Sequence, residues 1–220
     1  MMRLPRVASV CLLFPNRSPQ SESSRRLAGA ALAFGMSLAL SSGGASAQTP
    51  AKGSPEHIKA VTSAVDGASI RANTAMSNDW PTIGLDYAET RFSKLHDINA
   101  DNVKKLGLAW SYPLESSRGV EATPLVVDGI MYVTASWSVV HAVDARTGKR
   151  LWSYDPKVDR EKGYKGCCDV VNRGVALWKG KVFVGVYDGR LVALDAVTGK
   201  VAWEKDTLID KEHSYTITGA

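Results

Sequence analysis

Apolar positions in the second half of the chain fall into short blocks separated by turn-forming residues, and the blocks occur twice. The run "DGIMYVTASWSVVHAVDARTGKRLW" (128–152) aligns without a gap on "KGKVFVGVYDGRLVALDAVTGKVAW" (179–203) at a constant offset of 51 residues. Gly129 meets Gly180, Val133 meets Val184, Ala142 meets Ala193, Asp144 meets Asp195 and Trp152 meets Trp203. Each copy predicts a strand (Met131–Thr134; Val182–Val186), a turn, and a second strand (Val139–Val143; Leu191–Leu194). A tight Asp-Ala-x-Thr-Gly-Lys turn and a third strand ending in tryptophan complete the unit. A β-rich repeat of this period points to four-stranded sheets set radially, the all-β architecture of a β-propeller. The repeated tryptophans then dock between neighbouring sheets. Two copies plus a partial leading one, with Trp110 of "LGLAW" closing the leading strand, make two to three blades. A ring needs at least about four. The chain therefore reads as the amino-terminal part of a larger propeller, since "SYTITGA" ends where another strand is due.

The first half is patterned differently. Arg25-Arg26 precedes the apolar run "LAGAALAFGMSLAL" and small residues ending Ala45-Ser46-Ala47. This order predicts a secretory leader over residues 1–47, cleaved near Ala47, with an apolar run too short for a stable membrane span. Residues 48–77 are rich in Ala, Ser, Thr and Lys and are expected to be a mobile lead-in with a short helix near 56–66. From 78 to 220 the aromatic content rises and the propeller portion begins, with Asn99-Ala100-Asp101-Asn102-Val103 expected to start a short turn before Leu106.

The leader changes the charge argument. The chain carries 27 basic and 22 acidic residues, but residues 48–220 keep 22 and 21, a balance of only +1. No lysine- or arginine-rich run occurs, which speaks against a nucleic-acid partner. Of the three cysteines, Cys11 falls in the leader, leaving the adjacent Cys167 and Cys168 in "KGCCDVVNRG". Three readings stand side by side: two buried thiols, two ligands of a zinc site, although such ligands are usually spaced further apart, or a strained vicinal disulfide. Arg173 follows in the same loop, Glu121 leads into a strand in "RGVEATPLVV", and Thr216 and Thr218 share one side of "TITGA". Of the four histidines, His141 aligns with Val192 and is expected to pack within a strand.

Across roughly residues 78–220 the chain resembles the pyrroloquinoline quinone (PQQ)-dependent alcohol dehydrogenases. The resemblance rests on "DYAETRFSKLHDINADNVKKLGLAW", "RGVEATPLVVDGIMYVTASWSVVHAVDARTGKRLWSYDP", "GCCDVVNRGVALWKGKVFVG" and "SYTITGA". The run containing Trp137 is more similar to the quinohaemoprotein members than to the methanol dehydrogenase large subunit. It implies an eight-bladed propeller in the full-length family, holding PQQ with Ca²⁺ or a lanthanide. It further implies oxidation of primary alcohols to aldehydes in the periplasm, with electrons passed to a c-type cytochrome. By the same resemblance, Cys167 and Cys168 form a disulfide stacked on the PQQ face. Arg173 lies near the quinone oxygens, Glu121 hydrogen-bonds the cofactor, and Thr218 donates to one of its carboxylates. Trp137 is expected to serve packing.

The metal ligands and aspartate base of the family are expected beyond residue 220. The C-x-x-C-H motif of a haem c region is absent from this sequence; such a region would belong to a missing carboxy-terminal part. The 220-residue chain alone is thus expected to be a fragment with negligible turnover. The alternative is a non-enzymatic periplasmic propeller scaffold of the outer-membrane assembly type, which has no need of adjacent cysteines beside Glu121 and Arg173.

Overall fold

The computed structural model describes residues 9–15, 49–166 and 168–220. The leader's apolar run and cleavage site, and Cys167, lie outside the described residues. Two four-stranded antiparallel meanders carry the repeat. The first comprises β3 (Leu125–Val127), β4 (Ile130–Thr134), β5 (Val140–Asp144) and β6 (Lys149–Tyr154). The second comprises β7 (Ala176–Trp178), β8 (Lys181–Gly185), β9 (Arg190–Asp195) and β10 (Val201–Asp206). Registers match across the two: Ile130 pairs with Asp144 as Lys181 pairs with Asp195. The first strand of each sheet, β3 and β7, adds to the three expected from the repeat. Strand β2 (Leu106–Pro113) precedes both sheets and pairs with β1 (Ser9–Pro15). That pairing sets part of the segment assigned to the leader against the propeller portion. The expected turn before Leu106 is a single 3₁₀ turn, Val103–Lys105.

A bulge explains how Trp152 leaves its own sheet. In β6 the register skips Leu151, so that Ala142 pairs with Trp152 and Val143 with Arg150. In β10 it skips Ala202 in the same way. Such a bulge re-aims the next side chain. Trp152 reaches the second sheet, where its indole N–H donates to the Ala196 carbonyl at 3.0 Å. Trp110 of β2 does the same to Ala145 of the first sheet at 2.9 Å. Each ring lies against the glycine of the receiving Thr-Gly turn: a β-carbon on Gly148 or Gly199 would fall 2.7 or 2.6 Å from indole atoms, and both residues have positive φ. Only glycine satisfies both demands. The expected docking of Trp152 is therefore observed, while Trp203 stands 42% exposed on the open side of β10.

Alternation assigns the two faces of β4 to different cores. Ile130 and Tyr132 join an apolar cluster between the two sheets, whereas Met131 and Val133 pack with Tyr112 and Leu114 toward β2. A strand covered on both faces needs apolar residues throughout, hence the continuous "IMYV". In β8 only Val182 and Val184 are buried, and alternation returns.

The lead-in is more ordered than its composition suggests. It forms α1 (Pro55–Ser63), capped by Ser54, and α2 (Gly67–Met76), opened by an Asp66/Ser69 capping box. Ile58, Val65 and Ile70 are buried in the inter-sheet cluster. The carbonyls of Thr62 and Val65 accept from the backbone of Gly180 and Lys179 in the β7–β8 turn. At the other blade the His57 imidazole bonds Asp128 in the β3–β4 turn at 3.0 Å. One short expected helix is thus two, and they contact both sheets. Among the described residues no helix is long and apolar enough to cross a membrane.

Candidate cofactor site

Three segments run side by side where the chain enters the first strand of each sheet. Glu121 lies just before β3, Arg173 just before β7, and Thr218 in the stretch after β10. Backbone bonds hold them in register: Thr123 N–H donates to the Arg173 carbonyl, and Arg173 N–H to the Thr218 carbonyl, both at 3.0 Å. Asn172, 1% exposed, anchors the middle segment to the sheet. Its amide donates to the Gly185 carbonyl at 2.9 Å and to Ser138 Oγ at 3.2 Å, while its side-chain oxygen accepts from Gly174 N–H.

On this frame the guanidinium of Arg173 meets Glu121 Oε2 at 3.1 Å through one nitrogen and donates to Thr218 Oγ1 at 2.9 Å through the other. Both ion-pair partners remain near half-exposed, so the cluster is accessible from solvent. The structure therefore brings together Glu121, Arg173 and Thr218. Cys168, also exposed, belongs to the same loop five residues before Arg173. The expected disulfide between Cys168 and Cys167 involves a residue outside those described.

Further residues surround this cluster that sequence reasoning did not place there. Asp169, in a left-handed conformation (φ 68°), receives Arg118 in a forked contact, with Nε at 3.1 Å from Oδ2. The Arg118 hydrogen bond, foremost, holds the Asp169 carboxyl below its usual range. Trp137, also left-handed at φ 65°, donates its backbone N–H to the Val170 carbonyl at 2.8 Å. Its ring lies under Arg160 at 4.6 Å and Arg118 at 5.9 Å, with Tyr187 at its edge. The packing role expected of Trp137 is thus joined by a cation–π role. The closeness of Arg118 to "GVE" and of Asp169 to "CC" was the available signal, but separation in sequence hid the pairing.

The arrangement offers a guanidinium, a hydroxyl donor and a carboxylate acceptor along one open edge. That donor set fits a planar ligand carrying anionic oxygens and an N–H, since a guanidinium fork binds carboxylate or quinone oxygens and a carboxylate accepts from a ring N–H. Among the described residues no group of three or more His, Cys, Asp or Glu side chains gathers to hold a metal ion.

Sheets and cradle together define a propeller protein with a solvent-accessible cluster of guanidinium, hydroxyl and carboxylate along one edge. The profile of the family described as "PQQ: Glucose/ethanol/alcohol dehydrogenase, beta-propeller domain" matches residues 80–206. The quinohemoprotein alcohol dehydrogenase of Comamonas testosteroni is 65% identical over 185 residues, covering 84% of this chain and 26% of that protein. A 1-butanol dehydrogenase (cytochrome c) of Thauera butanivorans is 68% identical over 146 residues, covering 66% and 21%. The crystal structure of the Comamonas testosteroni enzyme superposes with a TM-score of 0.73 at 68% identity, over 75% of this chain and 25% of that one. A europium-containing methanol dehydrogenase gives 0.62 at 38% identity, over 68% and 27%.

The chain belongs to the PQQ glucose/ethanol/alcohol dehydrogenase β-propeller family. Its greater identity to the quinohaemoprotein than to the methanol dehydrogenase agrees with the reading of the Trp137 run. It spans about a quarter of the length of the relatives it matches.

Proposed function

We propose that this chain is the amino-terminal portion of an exported, periplasmic PQQ-dependent alcohol dehydrogenase, its leader being residues 1–47 and its propeller portion residues 78–220. The full-length enzyme oxidises primary alcohols to aldehydes and delivers electrons to a c-type cytochrome. A Ca²⁺ ion or a lanthanide sits beside the cofactor, and a haem c region follows the propeller. The names of the relatives support this reading for alcohol and for cytochrome c, and the europium-containing neighbour supports a metal. The observation that carries it is the convergence of Glu121 and Thr218 on the two ends of the Arg173 guanidinium.

Bound PQQ would supply the two-electron acceptor for the alcohol. Arg173 holds anionic oxygens of the ligand and, as a fixed cation, favours negative charge developing there. Thr218 donates its hydroxyl to a carboxylate, and Glu121 accepts from an N–H of the ligand. Cys167 and Cys168, joined as a disulfide, provide a rigid apolar face for the flat ligand.

Titration of the purified chain with PQQ, followed by quenching of tryptophan fluorescence, tests the cradle. Loss of a charge-assisted contact in Arg173→Ala should weaken binding about tenfold or more. Equal affinity in wild type and variant sinks the proposal. Mass spectrometry of the 166–173 peptide before and after reduction tests the disulfide; free thiols in exported protein would count against it.

A further inference from the structure

Two ion pairs join the same two segments with their charges exchanged. The segment before β3 carries Arg118 and then Glu121, and the loop before β7 carries Asp169 and then Arg173. Arg118 pairs with Asp169, and Glu121 with Arg173. The two pairs differ in what else they do. Arg173 is aimed at the open edge of the cradle and also bonds Thr218. Arg118 is committed to Asp169 through two nitrogens, with Gly119 N–H a further, longer donor at 3.4 Å.

The surroundings of the first pair hold it in place from both sides. Ser136 Oγ donates to the Gly119 carbonyl and meets Ser116 Oγ, each at 2.8 Å, tying the Arg118 segment to the turn that carries Trp137. That turn in turn holds the cysteine loop through the Trp137-to-Val170 bond. The left-handed backbone at Asp169 directs its carboxylate to Arg118 immediately after Cys168.

We propose that Arg118 and Asp169 are positioning residues. Their ion pair keeps the cysteine loop registered against the Glu121 segment when an anionic ligand draws Arg173 away from Glu121. The ligand's identity as PQQ rests on the function proposed above; the division of labour between the two pairs does not. An anion engaging Arg173 competes with Glu121 for the same guanidinium, so the one interaction that orients the ligand is the one whose structural role it weakens. A second pair that makes none of the proposed ligand contacts removes that conflict.

Glu121→Gln mimics withdrawal of Arg173 without any ligand. Amide hydrogen exchange over 168–171 is measured in wild type, Arg118→Gln, Glu121→Gln and the double variant. Each single variant should speed exchange by no more than about threefold, in keeping with half-exposed ion pairs. The double variant should exceed the product of the singles, reaching about tenfold or more. A product of independent effects overturns the inference. Should Arg118→Gln perturb folding by circular dichroism, Arg118→Lys, which keeps charge but not the fork, replaces it, and partial recovery of protection is expected. In a parallel PQQ titration Arg118→Gln should weaken binding several-fold although Arg118 lies outside the proposed contacts, and unchanged affinity would contradict the positioning role. The exchange cycle decides the two-pair arrangement whether or not wild type binds PQQ.

Discussion

His141 sits in the middle of β5, 2% exposed, at the position where the second sheet has Val192. Its Nδ1 meets the Tyr112 hydroxyl at 3.1 Å, and its Nε2 has no hydrogen-bond partner among the described residues. Burial, chiefly, pushes its pKa down to about 4; Glu115 acts in the opposite direction and Arg150 in the same one. A ring charged in the unfolded chain below about pH 6.5 stays neutral in the folded one until about pH 4. Between these limits the unfolded state binds more protons, so stability falls as pH falls. The limiting slope is about 1.4 kcal/mol per pH unit, and the whole window is worth about 3 kcal/mol. His141→Val installs the residue of the second sheet and abolishes the linkage, at the loss of one hydrogen bond, about 1 kcal/mol. Urea unfolding followed by tryptophan fluorescence should find the variant less stable at pH 7. It should be the more stable of the two, by about 1–2 kcal/mol, at pH 4.5. The carboxylates cancel in this difference because both proteins carry them. A difference between variant and wild type that stays constant from pH 7 to pH 4.5 would refute the account of a neutral buried imidazole.

Two further predictions address the frame. Trp152→Ala should cost about 3–5 kcal/mol in chemical denaturation, whereas Trp203→Ala, at a half-exposed ring, should cost less than about 1 kcal/mol; equal losses would show that docking across the sheets is not what stabilises the indole. Asn172→Leu strands the Gly185 carbonyl and Gly174 N–H, so a loss of about 2–4 kcal/mol is expected, accompanied by faster amide exchange at Arg173; an unchanged denaturation midpoint would argue against the anchor.

The blades were legible because their chemistry repeats. Alternation within strands, the Asp-Ala-x-Thr-Gly turn and the spaced tryptophans recur in copies that report on one another. The bulge at Leu151 and Ala202 was not legible, since a skipped register leaves no compositional trace. The helices of the lead-in were hidden for another reason: Ile58, Val65 and Ile70 are few apolar residues in a polar stretch, and their burial depends on the sheets they meet. Ser54-Pro55 and Asp66-x-x-Ser69 were the local signs of helix starts. In the cradle, family resemblance pointed to Glu121, Arg173 and Thr218, and the structure joins them. No periodicity could reveal the Arg118–Asp169 pair, because it forms between residues 51 apart in two irregular segments.

The tryptophan contacts also bear on how such a protein can change. Trp110 reaches its acceptor carbonyl across 35 residues of chain and Trp152 across 44, yet the two contacts have the same form. The additional length falls between β6 and β7, in the stretch carrying the cysteines, Asp169 and Arg173. Neighbour attachment is therefore indifferent to the length of the loop that bears the chemistry. Lineages could lengthen, shorten or rewrite that loop without disturbing the coupling between sheets, and one frame could host different small molecules by exchanging the connecting segment alone.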